Sequence, residues 1–245
     1  FVNFEIISKA ADLLVPKGHI VAYDQFELPI KAEKIAYKNA NGPKLSVSDS
    51  SESLVVSSQK VNFVFDKKQG IVTSYKVDDN EYFAEGFGIQ PNFWRAPNDN
   101  DYGNGAPKRL QIWKTSSKNF KVAKADVAID EQGNAQMNIT YELPAGNDYI
   151  VSYKIFPSGV VNANLRFTAA TAEEATAELT AEAKEATQSD SGERDRQRVA
   201  TSKLEVPRIG VRFRLPAMMN QVQYLGRGPE ENYLDRYKGT LVGWY

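Results

Sequence analysis

Cysteine is absent from this chain of 245 residues, and histidine occurs once, as His19. The first absence excludes disulfides, thiolate zinc sites and cysteine nucleophiles together. The second excludes a multi-histidine metal site and would force any Ser-His-Asp triad onto one imidazole. An excess of charge is also lacking: 30 Lys and Arg against 31 Asp and Glu give a formal net charge of −1. No global field draws phosphate backbones or anionic lipid, so nucleic acid is not an expected partner. No apolar run approaches the roughly 20 residues of a spanning helix, and no signal-peptide pattern opens the chain. The expectation is a soluble protein without a membrane partner. The chain starts at Phe1 and stops at Gly243-Trp244-Tyr245, inside what reads as a strand, so it is expected to be a piece of a longer protein.

What is present is period-two alternation, the mark of half-buried antiparallel strands. Met137, Ile139, Tyr141 and Leu143 share one face, then Tyr149, Val151, Tyr153 and Ile155, then Val161, Ala163, Leu165 and Phe167. Ala145-Gly146-Asn147-Asp148 and Pro157-Ser158-Gly159 are the turns of this meander. Further strands are expected at Phe1–Ser8, His19–Leu28, Val61–Phe65, Ile71–Val77, Glu205–Leu215 and Gln221–Leu225. So many short strands predict an all-β fold, a large antiparallel β-sandwich. The polar stretch Lys38 to Pro43 is the expected domain boundary, dividing the chain into 1–40 and 41–245. One segment breaks the rhythm: Thr171 to Gln188 is rich in alanine and glutamate, with a capping-box signature at Thr171 and Glu174. It predicts a surface helix near 171–188 whose thin alanine stripe lies on a sheet.

Chemistry concentrates in two places. The first is Pro91-Asn92-Phe93-Trp94-Arg95-Ala96-Pro97-Asn98-Asp99-Asn100-Asp101-Tyr102-Gly103. In extended backbone, Asp99 and Asp101 would project to one side with Cα atoms roughly 6.5–7 Å apart, within the range of about 5–9.5 Å used by glycosidase carboxylate pairs. Asx side chains in such a turn also bond their own backbone amides, and both readings stand at this point. A calcium loop of EF-hand type fails, because Asn104 and Leu110 occupy the positions that need glycine and glutamate. A cation site of another type could use Asn98, Asp99 or Asp101. Trp94, Trp113 and Trp244 are read as core residues first and as sugar-stacking faces second. Arg208, Arg212 and Arg214 share one face of an expected strand whose other face, Ile209, Val211, Phe213 and Leu215, is apolar.

The second place is Gly226-Arg227-Gly228-Pro229-Glu230-Glu231-Asn232-Tyr233-Leu234-Asp235-Arg236, expected just after a strand ending at Leu225. It is not a phosphate loop, since Gly-Lys-Ser/Thr is missing and two glutamates would repel phosphate. The candidates for carbohydrate contact or domain docking are therefore Trp94, Arg95, Asn98, Asp99, Asn100 and Asp101, with Arg227, Glu231, Asn232, Asp235 and Arg236. No metal site and no cofactor is evident in the chain.

Arg95 to Asp101 and Gly226 to Arg236 resemble two runs, Arg-Ala-Pro-x-Asp-Asn-Asp and Gly-x-Gly-Pro-x-Glu-Asn-Tyr-x-Asp-Arg, of the C-terminal region of large β-galactosidases of glycoside hydrolase family two. Gly18 to Leu28 also resembles the end of the immunoglobulin-like domain that precedes that region. The resemblance covers nearly all of the chain and implies a fold: residues 1–40 as the last strands of an immunoglobulin-like domain with its linker, and 41–245 as a truncated galactose-mutarotase-like β-sandwich. The 171–188 helix is then a subgroup insertion. It also implies a parent that hydrolyses terminal β-D-galactosides with retention, through two glutamates on a TIM barrel outside this chain. No glutamate here matches either of them, and neither Glu230 nor Glu231 is nominated. The expected role is noncatalytic, supporting the architecture and bordering the active-site cleft. The implied partners are the barrel and the immunoglobulin-like domain, a galactoside substrate, and further copies of the parent in a homo-oligomer. A divalent or monovalent cation belongs to the parent if anywhere, and the compartment, cytoplasmic or periplasmic in a bacterium, stays open. The alternatives are an autonomous carbohydrate-binding module and a mutarotase-like enzyme. The second is disfavoured because acid-base ring opening would want a histidine in the sandwich, and His19 lies outside it.

Overall fold

The computed structural model describes residues 1–31, 42–143, 147–169, 205–230, 232 and 236–245. Contacts divide the chain into two compact units, one of Phe1–Ala36 with Met218–Tyr245 and one of Tyr37–Ala217.

In the first unit, β1 (Val2–Ile7) and β2 (Ile20–Phe26) form an antiparallel hairpin. The Gln25 side chain does for its neighbour what a strand backbone would. Its amide donates to the Val242 carbonyl at 2.8 Å and its oxygen accepts the Val242 N–H at 2.9 Å. The Tyr23 hydroxyl adds a bond to the Gly239 carbonyl at 2.8 Å. These bonds join the two ends of the chain.

The second unit is an all-β antiparallel sandwich. Strands β3 (Ser46–Asp49), β4 (Ser53–Ser57), β5 (Val61–Asp66), β6 (Ile71–Val77) and β7 (Asn80–Glu81) follow one another as a five-stranded meander. After β8 (Gln90–Asn92) and three short helices, α1 (Asp99–Gly103), α2 (Ala106–Arg109) and α3 (Gln111–Ser116), a second sheet follows. Its strands are β9 (Lys121–Ile129), β10 (Ala135–Glu142), β11 (Asp148–Ile155) and β12 (Val161–Thr168), again in sequence order across the sheet. A short β13 (Gly210–Arg212) returns to pair with β8.

Alternation builds the core. Strand β5 buries Val61, Phe63 and Phe65, β10 buries Ala135, Met137, Ile139 and Tyr141, and β11 buries Tyr149, Val151, Tyr153 and Ile155. All belong to one cluster, in which Phe63 meets Tyr153 at 5.3 Å between ring centres. Each such side chain withdrawn from water contributes about 1.5–3 kcal/mol before entropy is counted. Hydroxyls tie the two sheets at their ends: Tyr141 donates to the Gly70 carbonyl at 2.9 Å and Tyr75 to that of Gly159 at 2.5 Å.

Several expectations are corrected. Strand β12 leaves Ala163 and Leu165 exposed, because it is the edge of its sheet and only Val161 and Phe167 reach the core. The segment expected as a strand from Glu205 to Leu215 is a strand only over Gly210–Arg212, with Arg214 adding backbone bonds to Phe87 and Ala84. There Arg212 donates to Gln90 Oε1 and lies 5.5 Å from the Phe87 ring, while Arg214 meets Glu85 at 2.5 Å and the same ring at 5.0 Å. The arginines thus hold the 85–90 segment, and Ile209, Phe213 and Leu215 remain exposed. Trp244 is exposed rather than a core residue, since it lies on a two-stranded ribbon of β14 (Leu225–Gly228) and β15 (Leu241–Trp244). The strand predicted at Gln221–Leu225 begins instead at Leu225 and takes in the glycines. The 171–188 helix and the Ala145-Gly146 corner lie outside the described residues.

Candidate functional site

The site grows from the segment that leaves β8. Phe93 is buried against Trp113, Tyr149 and Phe167, and its N–H donates to Ser117 Oγ at 2.7 Å. Trp94 therefore starts from a fixed point; it is half-buried, packs against the core, and has Lys114 Nζ over its ring at 5.8 Å.

The turn that follows is built by its own side chains. Asn98 Oδ1 accepts the Asp101 N–H at 3.0 Å while the Asp101 carboxylate accepts the Asn98 N–H at 2.9 Å, a reciprocal cap that starts α1. Arg95 donates to the same carboxylate from both terminal guanidinium nitrogens, Nη1 and Nη2, at 2.5 and 2.8 Å. The Arg95 hydrogen bond above all, then the Asn98 N–H, hold the Asp101 carboxyl below the usual carboxylate range. The extended arrangement of Asp99 and Asp101 is thereby overturned. The cap makes the segment helical, and residues two apart on a helix do not face one another. Asp99 and Asn100 are exposed in the first turn of α1.

Asn104 closes this helix, its Oδ1 accepting the Ala106 N–H at 3.0 Å. Gly105, at φ 74°, then permits the left-handed step into α2, where Pro107 occupies the first turn. Buried Ala106 and Leu110 fasten α2 to the core. On its outer side Arg109 forms an ion pair with Glu205, a residue 96 positions away. Between these elements lies a cavity of about 220 Å³. Trp94, Pro97, Pro107, Leu110, Val206 and Pro207 form apolar walls; Arg95, Asp101, Asn104 and Glu205 supply the polar atoms.

The second cluster is in the other compact unit. Arg227 donates to the carbonyls of Tyr237 at 3.1 Å and Thr240 at 2.7 Å and lies 5.0 Å from the Tyr237 ring centre. Asn232 Nδ2 reaches Thr240 Oγ1 and the Tyr237 carbonyl. Arg236 is exposed, and its carbonyl accepts the Gly239 N–H at 3.0 Å. Arg227 and Asn232 therefore fasten the turn before β15, while Glu231 and Asp235 lie outside the described residues.

Sequence reasoning found Trp94, Arg95 and the Asx turn but missed Pro107, Arg109, Glu205, Val206 and Pro207. The proline after Gly105 marked a helix start. The Arg109 to Glu205 pairing had no local signal. Among the described residues, no group of three or more His, Cys, Asp or Glu could hold a metal ion, and no helix is long and apolar enough to cross a membrane.

A family model described as the beta galactosidase small chain matches residues 57–245. Over 230 residues the chain is 32% identical to a beta-galactosidase of Priestia megaterium, aligning 92% of this chain and 19% of the relative. It is 23% identical to a beta-galactosidase of Clostridium acetobutylicum, over 96% of the chain and 22% of the relative. Another from Kluyveromyces lactis is 24% identical, over 93% and 20%. The chain spans about a fifth of the length of the curated relatives it matches.

Proposed function

The chain belongs to the beta galactosidase small chain family, and from that premise we propose that it is a noncatalytic region of a retaining β-galactosidase. Its parent hydrolyses terminal β-D-galactosides on a barrel outside this chain, and the present region completes the enzyme's architecture and borders its cleft. Residues 1–40 are the end of an immunoglobulin-like domain, and the sandwich that follows is of the galactose-mutarotase type.

The observation that carries the noncatalytic reading is the engagement of Asp101. Retaining hydrolysis needs one carboxyl as a general acid with a raised pKa and a second about 5–5.5 Å away as nucleophile. Asp101 is instead clamped by Arg95 and the Asn98 N–H, and its pKa moves down. A carboxylate so held is a poor proton donor and a poor nucleophile. Its work is to keep the turn that Trp94 and Pro97 flank.

The test is complementation. The chain alone should leave a chromogenic β-galactoside intact, and hydrolysis should appear when it is supplied to a β-galactosidase polypeptide that lacks the matching region. Turnover by the chain alone, abolished by Asp99→Asn or Asp101→Asn, would sink the proposal.

A further inference from the structure

We infer that the Trp94 cavity takes a single neutral sugar ring, a galactopyranose, with the ring's apolar face toward the indole. The choice of galactose rests on the β-galactosidase reading above; the requirement for a neutral, hydroxyl-rich ring rests on the cavity.

Size comes first. At about 220 Å³ the cavity is smaller than the roughly 300–1,000 Å³ of sites for drug-sized ligands, which suits one ring and not two. Charge comes next. Arg95 is clamped on Asp101 and Arg109 is paired with Glu205, so each charged side chain of the lining already faces an opposite charge and offers a phosphate or an ammonium group less than a bare ion would. The pairing also sets the hydrogen-bonding sense. A carboxylate has about four acceptor sites; Asp101 uses three, two for Arg95 and one for the Asn98 N–H, and Glu205 uses two, both for Arg109. The remaining acceptors call for a ligand that brings O–H donors.

The walls select shape. Lys114 Nζ lies 5.8 Å from the centre of the Trp94 ring, and Trp94 joins Pro97, Pro107 and Pro207 in the apolar lining of the cavity. In galactopyranose the axial hydroxyl at C4 lies on one face, leaving the C–H groups of C3, C4 and C5 together on the other. That face matches an aromatic wall, and the hydroxyl edge matches the acceptors. The reciprocal cap of α1, the Arg95 fork and Pro107 hold the walls in place beforehand, which lowers the ordering cost of binding.

The experiment follows the indole N–H resonances of the 15N-labelled full chain, of which there are three, Trp94, Trp113 and Trp244; Trp94→Phe assigns the first. Added galactose should move the Trp94 resonance saturably while Trp113 and Trp244 stay in place. Trp94→Ala should weaken binding at least tenfold, followed on the sugar's own resonances, and its unchanged Trp113 signal should report an intact core. Galactose 6-phosphate should bind no tighter than galactose. No saturable movement of Trp94, unchanged affinity in a folded Trp94→Ala chain, or tighter binding of the phosphate would each overturn the inference. A chain that complements the truncated enzyme but ignores galactose defeats this inference alone. One that binds galactose but fails to complement defeats the proposed function alone.

Discussion

Arg95 holds both carboxylate oxygens of Asp101, six positions along the chain, at 2.5 and 2.8 Å. Such a fork is stronger and more directional than a single ionic contact. It converts the most acidic stretch of the segment into a brace and leaves Trp94 and Pro97 as walls. The motif's charges are spent on shape.

The cap is the first place to test this. Asn98→Ala removes the acceptor for the Asp101 N–H and should cost about 1 kcal/mol of stability, the usual worth of an N-cap. Asn98→Asp keeps the acceptor and should cost less. Urea unfolding of the three proteins measures the difference.

Acid should unfold the protein through carboxylates whose pKa values fall on folding. Asp101 is lowered, first by its Arg95 hydrogen bond. At Glu81 partial burial works against ionisation, but the Ser74 hydroxyl and the Tyr75 and Phe83 N–H groups outweigh it, and the pKa again moves down. A folded pKa below the unfolded one means the unfolded chain binds more protons, so the stabilisation is complete above the ordinary carboxylate range and is lost as pH falls through the folded values. The melting temperature should be flat near neutrality and decline below about pH 4 to 5. In the double variant Asp101→Asn, Glu81→Gln the decline should be shallower; an equally steep decline would assign acid unfolding to other groups.

Two buried tyrosines should respond oppositely to loss of their hydroxyls. Tyr141 donates to the Gly70 carbonyl at 2.9 Å, so Tyr141→Phe should cost about 1 kcal/mol. The Tyr153 hydroxyl has no hydrogen-bond partner among the described residues, and burial pushes its pKa far up. Tyr153→Phe removes a desolvated group with no loss of a bond and should be neutral or stabilising. Thermal melts of both variants decide it.

Gly88 and Gly86 should differ although they lie two residues apart. A Cβ at Gly88 would collide with the Val72 carbonyl and stand 2.8 Å from the Phe83 ring, so Gly88→Ala should cost about 3 kcal/mol or more. At Gly86 there is open space, the nearest neighbour being the Thr73 carbonyl at 3.8 Å, but φ is +68°. Gly86→Ala should cost about 1 kcal/mol, from backbone strain alone. Chemical denaturation ranks the two.

Much of the sheet architecture was legible in the chain. The alternation at Met137, Ile139 and Tyr141 and at Tyr149, Val151 and Tyr153 marks faces that are indeed buried, because a strand's side-chain period of two is local and rigid. Val161 to Phe167 shows the same alternation, yet Leu165 is 40% exposed. Whether an apolar face is covered depends on position in the sheet, and β12 is an edge. At the candidate site, the Asx turn was readable as one of two alternatives, and the Asn98 to Asp101 cap selected between them. Glu205 was not readable, since its partner Arg109 lies 96 residues away and no short-range rule links them.

The sequence by itself determined the composition limits, the strand periodicity and the signature runs at Arg95–Asp101 and Gly226–Arg236, all set by interactions within a few residues. Only the tertiary structure decided that Trp113 is buried and Trp244 67% exposed, that the Gln25 side chain bonds to the Val242 backbone, and that Glu205 closes a cavity against Trp94 and Arg95. Burial and long-range pairing depend on what else packs at a place, and that is settled only when distant segments meet.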